Sequence, residues 1–264
     1  VQVHHVNAAP SALQGKTRVL QELGELSTGN YMFYTDADIV LSPEWISSML
    51  QYFGPGVGVV VGVTGFQKTN LWSSLQGTEW FMALSLFHLA YRLNIPSTGM
   101  GNNMAVSREA YQAIGGYESI GFSIVEDYHL YKNIIDHGYG FVQGFDPHIV
   151  AYTVPPPRYF EQRKRWIKGA LENAPAAMLG GILQALCLPL LVLIAYFSSG
   201  LAWGIVGCLV LTYSVLILYF QKKLQVTGYL RYLPLYALYI SGAWFLQFLY
   251  FLFSKETRWK NRTY

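Results

Sequence analysis

The chain has 264 residues, of which 52% are hydrophobic and 12% charged, and it carries 20 Tyr, 15 Phe and 7 Trp. That is too apolar for an ordinary soluble domain of this length and points to a membrane protein. The formal net charge of +3, with no basic stripe interleaved with aromatics outside the membrane flank, argues against a nucleic-acid partner.

Nearly all the carboxylates precede Asn173, and Leu, Ile, Val, Phe and Tyr dominate beyond it. The expected division is a polar domain over residues 1–173, an apolar region over 174–254 and a basic tail over 255–264. Cys187 and Cys208 both fall inside apolar segments, as small buried hydrophobes rather than as a disulfide or metal pair.

In chain order, residues 31–34 (YMFY) read as a buried strand, and the TDAD that follows puts Asp36 and Asp38 at its carboxyl end. Ligands of α/β sheets bind beyond such ends. Two acids at i and i+2 can share a hard cation when phosphate oxygens fill its other positions. For an isolated D-x-D an Asx turn before the next helix is the better explanation, so the motif gains meaning only from its company. That helix is expected over 44–53, with Ser42 as N-cap, Pro43 in its first turn and Gly54 as its stop.

Residues 57–64 form the next expected strand. The apolar stretch 79–93 is too short to cross a bilayer, so it is either a helix in the headgroup plane or a core helix of the polar domain. His88 within it has no second metal-type ligand beside it and reads as a packed histidine. A short strand at 103–106, a helix capped by Ser107 and ended by Gly115 and Gly116, and a helix over 126–137 stopped by Gly138 complete the pattern. Strands alternating with short helices predict an α/β domain with a largely parallel sheet.

Glu126 and Asp127 open the last of these helices. An ionised carboxylate there suits the helix dipole, and it is also what a general base requires. Further on, 159–171 reads as an amphipathic helix on which Gln162, Arg165 and Trp166 stand at i, i+3 and i+4 and share a face. Arg offers a fork for phosphate, Trp a plate on which a sugar can stack, and Gln a paired donor and acceptor. A basic flank before a membrane span explains Arg163, Lys164 and Lys168, but neither the Gln nor the Trp.

Three apolar stretches follow, 182–197, 201–220 and 233–253; the first is marginal for a span, so two or three transmembrane helices are expected. Positive charge before the first, and at Lys222, Lys223 and Arg231 between the second and third, puts the polar domain in the cytoplasm. With three spans the basic tail falls on the opposite side.

Taken together, TDAD, VED and QRKRW ahead of membrane helices resemble the family 2 inverting glycosyltransferases of GT-A fold, the group that includes ceramide glucosyltransferases and polysaccharide synthases. The likeness runs from about Gly15 to Gly169. It implies Asp127 as catalytic base, Asp38 as metal ligand for Mg2+ or Mn2+, and Lys16, Asp36, Gln162 and Arg165 around the donor pyrophosphate. Asn102, Glu126 and Trp166 belong to the acceptor side on the same resemblance.

The implied reaction moves a sugar from a nucleotide-sugar donor to a lipid acceptor in the bilayer. A processive polysaccharide synthase is the alternative within the family, and a non-catalytic scaffold or transporter the alternative outside it. The resemblance also implies a strand-helix-strand unit ahead of the D-x-D. The chain begins with Val1 and has room for only part of it, so an N-terminally truncated domain that neither binds nor transfers a nucleotide sugar by itself is the expectation.

Overall fold

A computed structural model of the chain describes residues 3–6, 13–123, 125–173, 175–254, 258–259 and 262–263. The chain divides into two compact units, Val1–Gly65 with Leu84–Thr153, and Phe66–Ala83 with Val154–Tyr264.

The first unit opens with α1 (Gly15–Leu26) and β1 (Tyr31–Tyr34), followed by α2 (Trp45–Leu50) and β2 (Val57–Val61). The strand expected over 57–64 is broken at Gly62, and a second strand, β3 (Val63–Phe66), begins beyond it. The break lies where a distant residue approaches: Gly62 N–H donates to Asn103 O at 2.8 Å, and a Cβ on Gly62 would lie 2.2 Å from Asn103 Oδ1. Helix α3 (Leu71–Arg92) follows, longer than the stretch read from sequence. Its second half belongs to this unit, where Leu84 and Ser85 are buried. His88 Nδ1 lies 2.8 Å from Gln143 O and its ring stacks on Phe145, so it is the packed histidine its isolation predicts.

Next come β4 (Met104–Ser107), α4 (Arg108–Ala113), α5 (Gly116–Ile120), α6 (Glu126–Asp136), β5 (Gly140–Gln143) and β6 (Val150–Thr153). Ser107 caps α4 as expected, its side chain accepting from Ala110 N–H. The α/β class is the one predicted. The main sheet runs β1-β4-β2-β5, with β4 antiparallel to both β1 and β2 and with β2 parallel to β5. It is therefore mixed rather than largely parallel: β1, β2 and β5 point one way and β4, lying between β1 and β2, is reversed. Periodicity and turn signals do not report strand direction, which is set by the path of the connections.

That reversal has a functional consequence. Met104, the first residue of β4, pairs with Tyr34 and Val61, the last residues of β1 and β2, and Val61 also pairs with Gln143, the last of β5. One rim of the sheet thus collects the exits of β1, β2 and β5 and the entrance to β4. Behind it Trp45, Met49, Val60, Ala105, Val142 and Ile149 form an apolar core. Truncating Met49, which is fully buried, to Ala is expected to cost about 2–5 kcal/mol.

The second unit contains the first half of α3, α7 (Tyr159–Asn173), α8 (Pro175–Phe197), α9 (Ser199–Leu224) and α10 (Leu233–Phe253). Three segments, Leu179–Phe197, Ser199–Leu224 and Leu230–Phe253, are long and apolar enough to cross a membrane. The first, marginal by sequence, gains length because the helix begins earlier than its apolar run. Of the basic tail, the side chains lie outside the described residues.

Candidate active site

The D-x-D follows directly on β1, where the strand ends at Tyr34 and Ile39 N–H donates to Asp36 O to close a turn. The segment does turn, but the bond that closes it is made by a backbone carbonyl and not by an aspartate side chain as in the expected Asx turn, which leaves both carboxylates available for other partners. Lys16, in the first turn of α1, reaches Asp36 Oδ1 at 2.9 Å and Glu126 Oε1 at 3.4 Å. Burial lowers the pKa of this ammonium, but the charge of Glu126, followed by Asp36 and Asp127, more than offsets it, and the net shift is upward from the ordinary lysine value. Lys16 is thus a firmly charged bridge between the two acid pairs. Asp38 takes a different partner, accepting from Thr153 Oγ1 at 3.2 Å at the end of β6.

Asp127 is held more tightly. Its Oδ2 accepts from Gly101 N–H at 2.8 Å and its Oδ1 from its own helix at Tyr128 N–H, 2.9 Å away. The Gly101 contact depends on glycine two residues earlier: a Cβ on Gly99 would lie 2.5 Å from the Asp127 carbonyl oxygen and 2.7 Å from Tyr131 Cβ. A chain with any side chain at 99 could not seat this loop on the start of α6. Capping alone does not explain the carboxylate, since Val125 is the N-cap and caps with no side chain, while Asp127 turns one oxygen across to the β4 approach.

The approach itself is fixed from below by Asn103. Its side chain is wholly buried, accepts from Trp45 Nε1 at 2.9 Å, and donates to Val63 O and Ile149 O, each at 2.9 Å. Next to it, Asn102 Oδ1 accepts from Thr64 Oγ1 at 3.2 Å. The rim therefore carries Lys16 bonded to Asp36 and Glu126, Asp127 bonded to Gly101 N–H and Asn102 bonded to Thr64, with Asp38 tied to Thr153 beside the same exit of β1. Beneath the D-x-D, burial raises the phenols of Tyr34 and Tyr117 above the ordinary tyrosine value, so both stay neutral near pH 7.

Gln162, Arg165 and Trp166 stand on α7, in the second unit. One face of the Trp166 ring is taken by Trp80, stacked at 4.9 Å and 30°. The basic-flank account of Arg163 and Lys164 is corrected: both side chains point inward. Arg163 forms a two-pronged ion pair with Glu79, and Lys164 donates to Ser254. The sequence reading missed Glu79, although it is the sole carboxylate in α3, and a lone acid in so apolar a helix calls for a buried partner. Gly101, Asn103 and Thr153 were also missed, because their contributions are a backbone N–H, a buried amide and a hydroxyl with no pattern in sequence.

Asp36 and Asp38 supply hard carboxylate oxygens of the kind Mg2+ and Mn2+ accept. Among the described residues no group of three or more His, Cys, Asp or Glu converges to hold a metal. This donor set fits a cation that takes its remaining oxygens from phosphate.

The family model for glycosyl transferase family 21 matches residues 5–264. The chain belongs to that family. The motifs had led to the expectation of family 2; the sugar-transferring character is common to both. No curated protein matches this family 21 chain. Among solved structures it is similar to a mannosyltransferase from Pyrobaculum calidifontis in complex with GDP-Man and Mn2+, at 20% identity over 92% of this chain and 68% of that one, with a TM-score of 0.47.

Proposed function

We propose that this family 21 glycosyltransferase transfers a sugar, with inversion, from a nucleotide-sugar donor to a lipid acceptor at the cytoplasmic face of a membrane. The observation that carries the reading is the seating of Asp127: a carboxylate fixed through both oxygens by backbone N–H groups, at a sheet rim that also holds the Lys16 bridge and the D-x-D. Such a group keeps its orientation while an acceptor hydroxyl approaches.

In the proposed step the acceptor oxygen forms its bond to the anomeric carbon from the face opposite the diphosphate. The bond from that carbon to the leaving phosphate oxygen breaks, the nucleoside diphosphate departs with the electron pair, and the hydroxyl proton passes to Asp127. One base and one displacement invert the anomeric centre. Lys16 lies where its fixed positive charge meets the diphosphate as negative charge grows there, with Gln162 and Arg165 as further donor-side groups. Asp38, with Asp36, would hold Mg2+ or Mn2+, which when bound supplies additional charge stabilisation to the departing diphosphate. Asn102, Glu126 and Trp166 are assigned to the acceptor side.

The three apolar helices support a lipid acceptor, since a head group presented from the bilayer need not leave it. The exposed Lys222 and Lys223 in the last turn of α9, with Arg231 before α10, support the cytoplasmic side. The test is to incubate membranes containing the complete protein with a panel of radiolabelled nucleotide sugars and to resolve the lipid extract. One labelled lipid band supports the proposal, a ladder of products favours a processive synthase, and absence of lipid-bound label with every donor refutes it.

A further inference from the structure

The second unit contains a carboxylate whose hydrogen-bonding capacity is completely used. Glu79 Oε1 accepts from Arg163 Nη1 at 2.6 Å and Trp244 Nε1 at 3.1 Å; Oε2 accepts from Arg163 Nη2 at 2.7 Å and Tyr239 Oη at 2.7 Å. Four donors fill the roughly four lone-pair sites that a carboxylate offers. The side chains of Arg163 and Glu79 are only 11% and 7% exposed, so water does not compete for them. With no capacity to spare, Glu79 is not a proton acceptor for substrate. Its partners come from different helices: Arg163 from α7, and Tyr239 and Trp244 from α10, which is one of the candidate spans.

A second grip lies one residue along α3 and three residues along α7. Trp80, next to Glu79, stacks on Trp166, three residues beyond Arg163. Arg163 also lies 4.4 Å over the Tyr159 ring, and the Tyr159 hydroxyl is 3.2 Å from that of Tyr239. Tyr159, Arg163 and Trp166 stand at i, i+4 and i+7, on one face of α7. Two attachment points three residues apart fix both the rotation and the rise of a helix, because one residue of slip turns it by about 100°. Gln162 and Arg165 each immediately precede an attached position, so their direction follows from the two attachments.

Stability alone is a weak reason for such an arrangement. A buried ion pair replaced by apolar side chains of similar size is often neutral or favourable for folding, and its best-attested use is to specify register. We infer that Glu79 is a positioning residue: with Arg163, Tyr239 and Trp244 it locks the substrate-binding helix α7 in register against the span α10. The lock makes the direction of Gln162 and Arg165 depend on the membrane helices. The inference rests on the proposed reading of Gln162 and Arg165 as donor-side groups.

The test pairs kinetics with a distance measurement on the complete protein in membranes. The double variant Glu79→Leu/Arg163→Met removes the charges and keeps the bulk. A purely structural pair predicts that the folded variant keeps its parent's kinetics. The lock predicts a variant that still folds, its thermal melting lowered by the Trp244 indole N–H and Tyr239 hydroxyl left without their carboxylate, with donor KM raised on the order of 10- to 100-fold and a smaller change in acceptor KM. An unchanged donor KM in the folded double variant overturns the inference. If that variant does not fold, Tyr239→Phe, which removes one of the four bonds, decides: a donor KM rise of about threefold supports the lock and an unchanged value overturns it.

Nitroxides on Lys168→Cys and Leu246→Cys, with Cys187 and Cys208 replaced by Ser, report the α7–α10 distance independently of activity. The lock predicts a narrow distribution that broadens on loss of the pair, and an equally narrow one in the variant contradicts it. A parent protein without transfer to any acceptor refutes the donor-side reading instead, and the nitroxide distances still decide the lock.

Discussion

Gly101 N–H and Asp127 Oδ2 are 2.8 Å apart, and this one bond joins the approach to β4 with the first turn of α6. It gives the carboxylate a fixed direction that helix capping by itself does not provide. The closeness of the two segments depends on Gly99, where a Cβ would strike the Asp127 carbonyl, a backbone atom that cannot rotate away.

Gly99→Ala is therefore expected to displace the loop from α6 and to lower kcat on the order of 10- to 100-fold while the protein still folds. Gly101→Ala, whose Cβ would meet Asp127 Cβ at a milder 3.0 Å, should cost less. Steady-state kinetics on both variants check the order; a Gly101→Ala defect larger than that of Gly99→Ala would contradict it.

Lys16 supplies a pH prediction with a definite sign. Its pKa is raised from the ordinary 10.5 chiefly because the attraction of Glu126 and Asp36 exceeds the penalty of burial. A raised folded-state pKa contributes stability that is fully present below the unfolded value and lost as pH rises through the folded one. The difference in melting temperature between the parent protein and Lys16→Met should thus be constant from about pH 7 to 9 and shrink only above pH 10.5. A difference that already collapses between pH 7 and 9 would show that Lys16 is not the bridge described.

Metal dependence is expected to follow the D-x-D. Chelation should abolish transfer, Mg2+ or Mn2+ should restore it, and Asp38→Ala should raise the metal concentration needed for half-maximal rate. Full transfer in chelator removes the metal role assigned to Asp38.

Asn103 offers a test of how the rim is supported. Asn103→Leu leaves the Val63 and Ile149 carbonyls and the Trp45 indole N–H without their buried partner. At about 1–3 kcal/mol for each buried group left unsatisfied, this ranks among the most destabilising single changes in the unit. Urea unfolding of the purified protein measures it, and a loss below about 1 kcal/mol would mean that the three bonds contribute little.

The sequence carried the parts of this account that depend on periodicity and local chemistry. The strand 31–34, the helix capped by Ser107, the helix from Glu126 and the amphipathic helix around Trp166 all appear where apolar spacing and capping residues put them. Strand direction was not legible, because β4 is reversed by the route of its connections and not by its own residues. The break at Gly62 depends on Asn103, forty-one positions later, and so escapes any local reading. The candidate acids were visible as pairs, but what fixes Asp127 is a backbone N–H, which every residue except proline possesses. Arg163 and Lys164 looked like solvent-facing membrane flank because charge in a basic cluster does not disclose which side chains find buried partners.

The most direct test of the central claim compares Asp127→Asn with the parent protein for transfer and for donor binding in the same membranes. Asn preserves the shape and its one carbonyl oxygen can accept from Gly101 N–H, giving up the Tyr128 N–H bond, but it takes no proton. The account predicts that sugar transfer falls by at least 10²- to 10⁴-fold, the usual contribution of a general base, while affinity for the nucleotide-sugar donor is unchanged. Transfer at the parental rate by Asp127→Asn would contradict it.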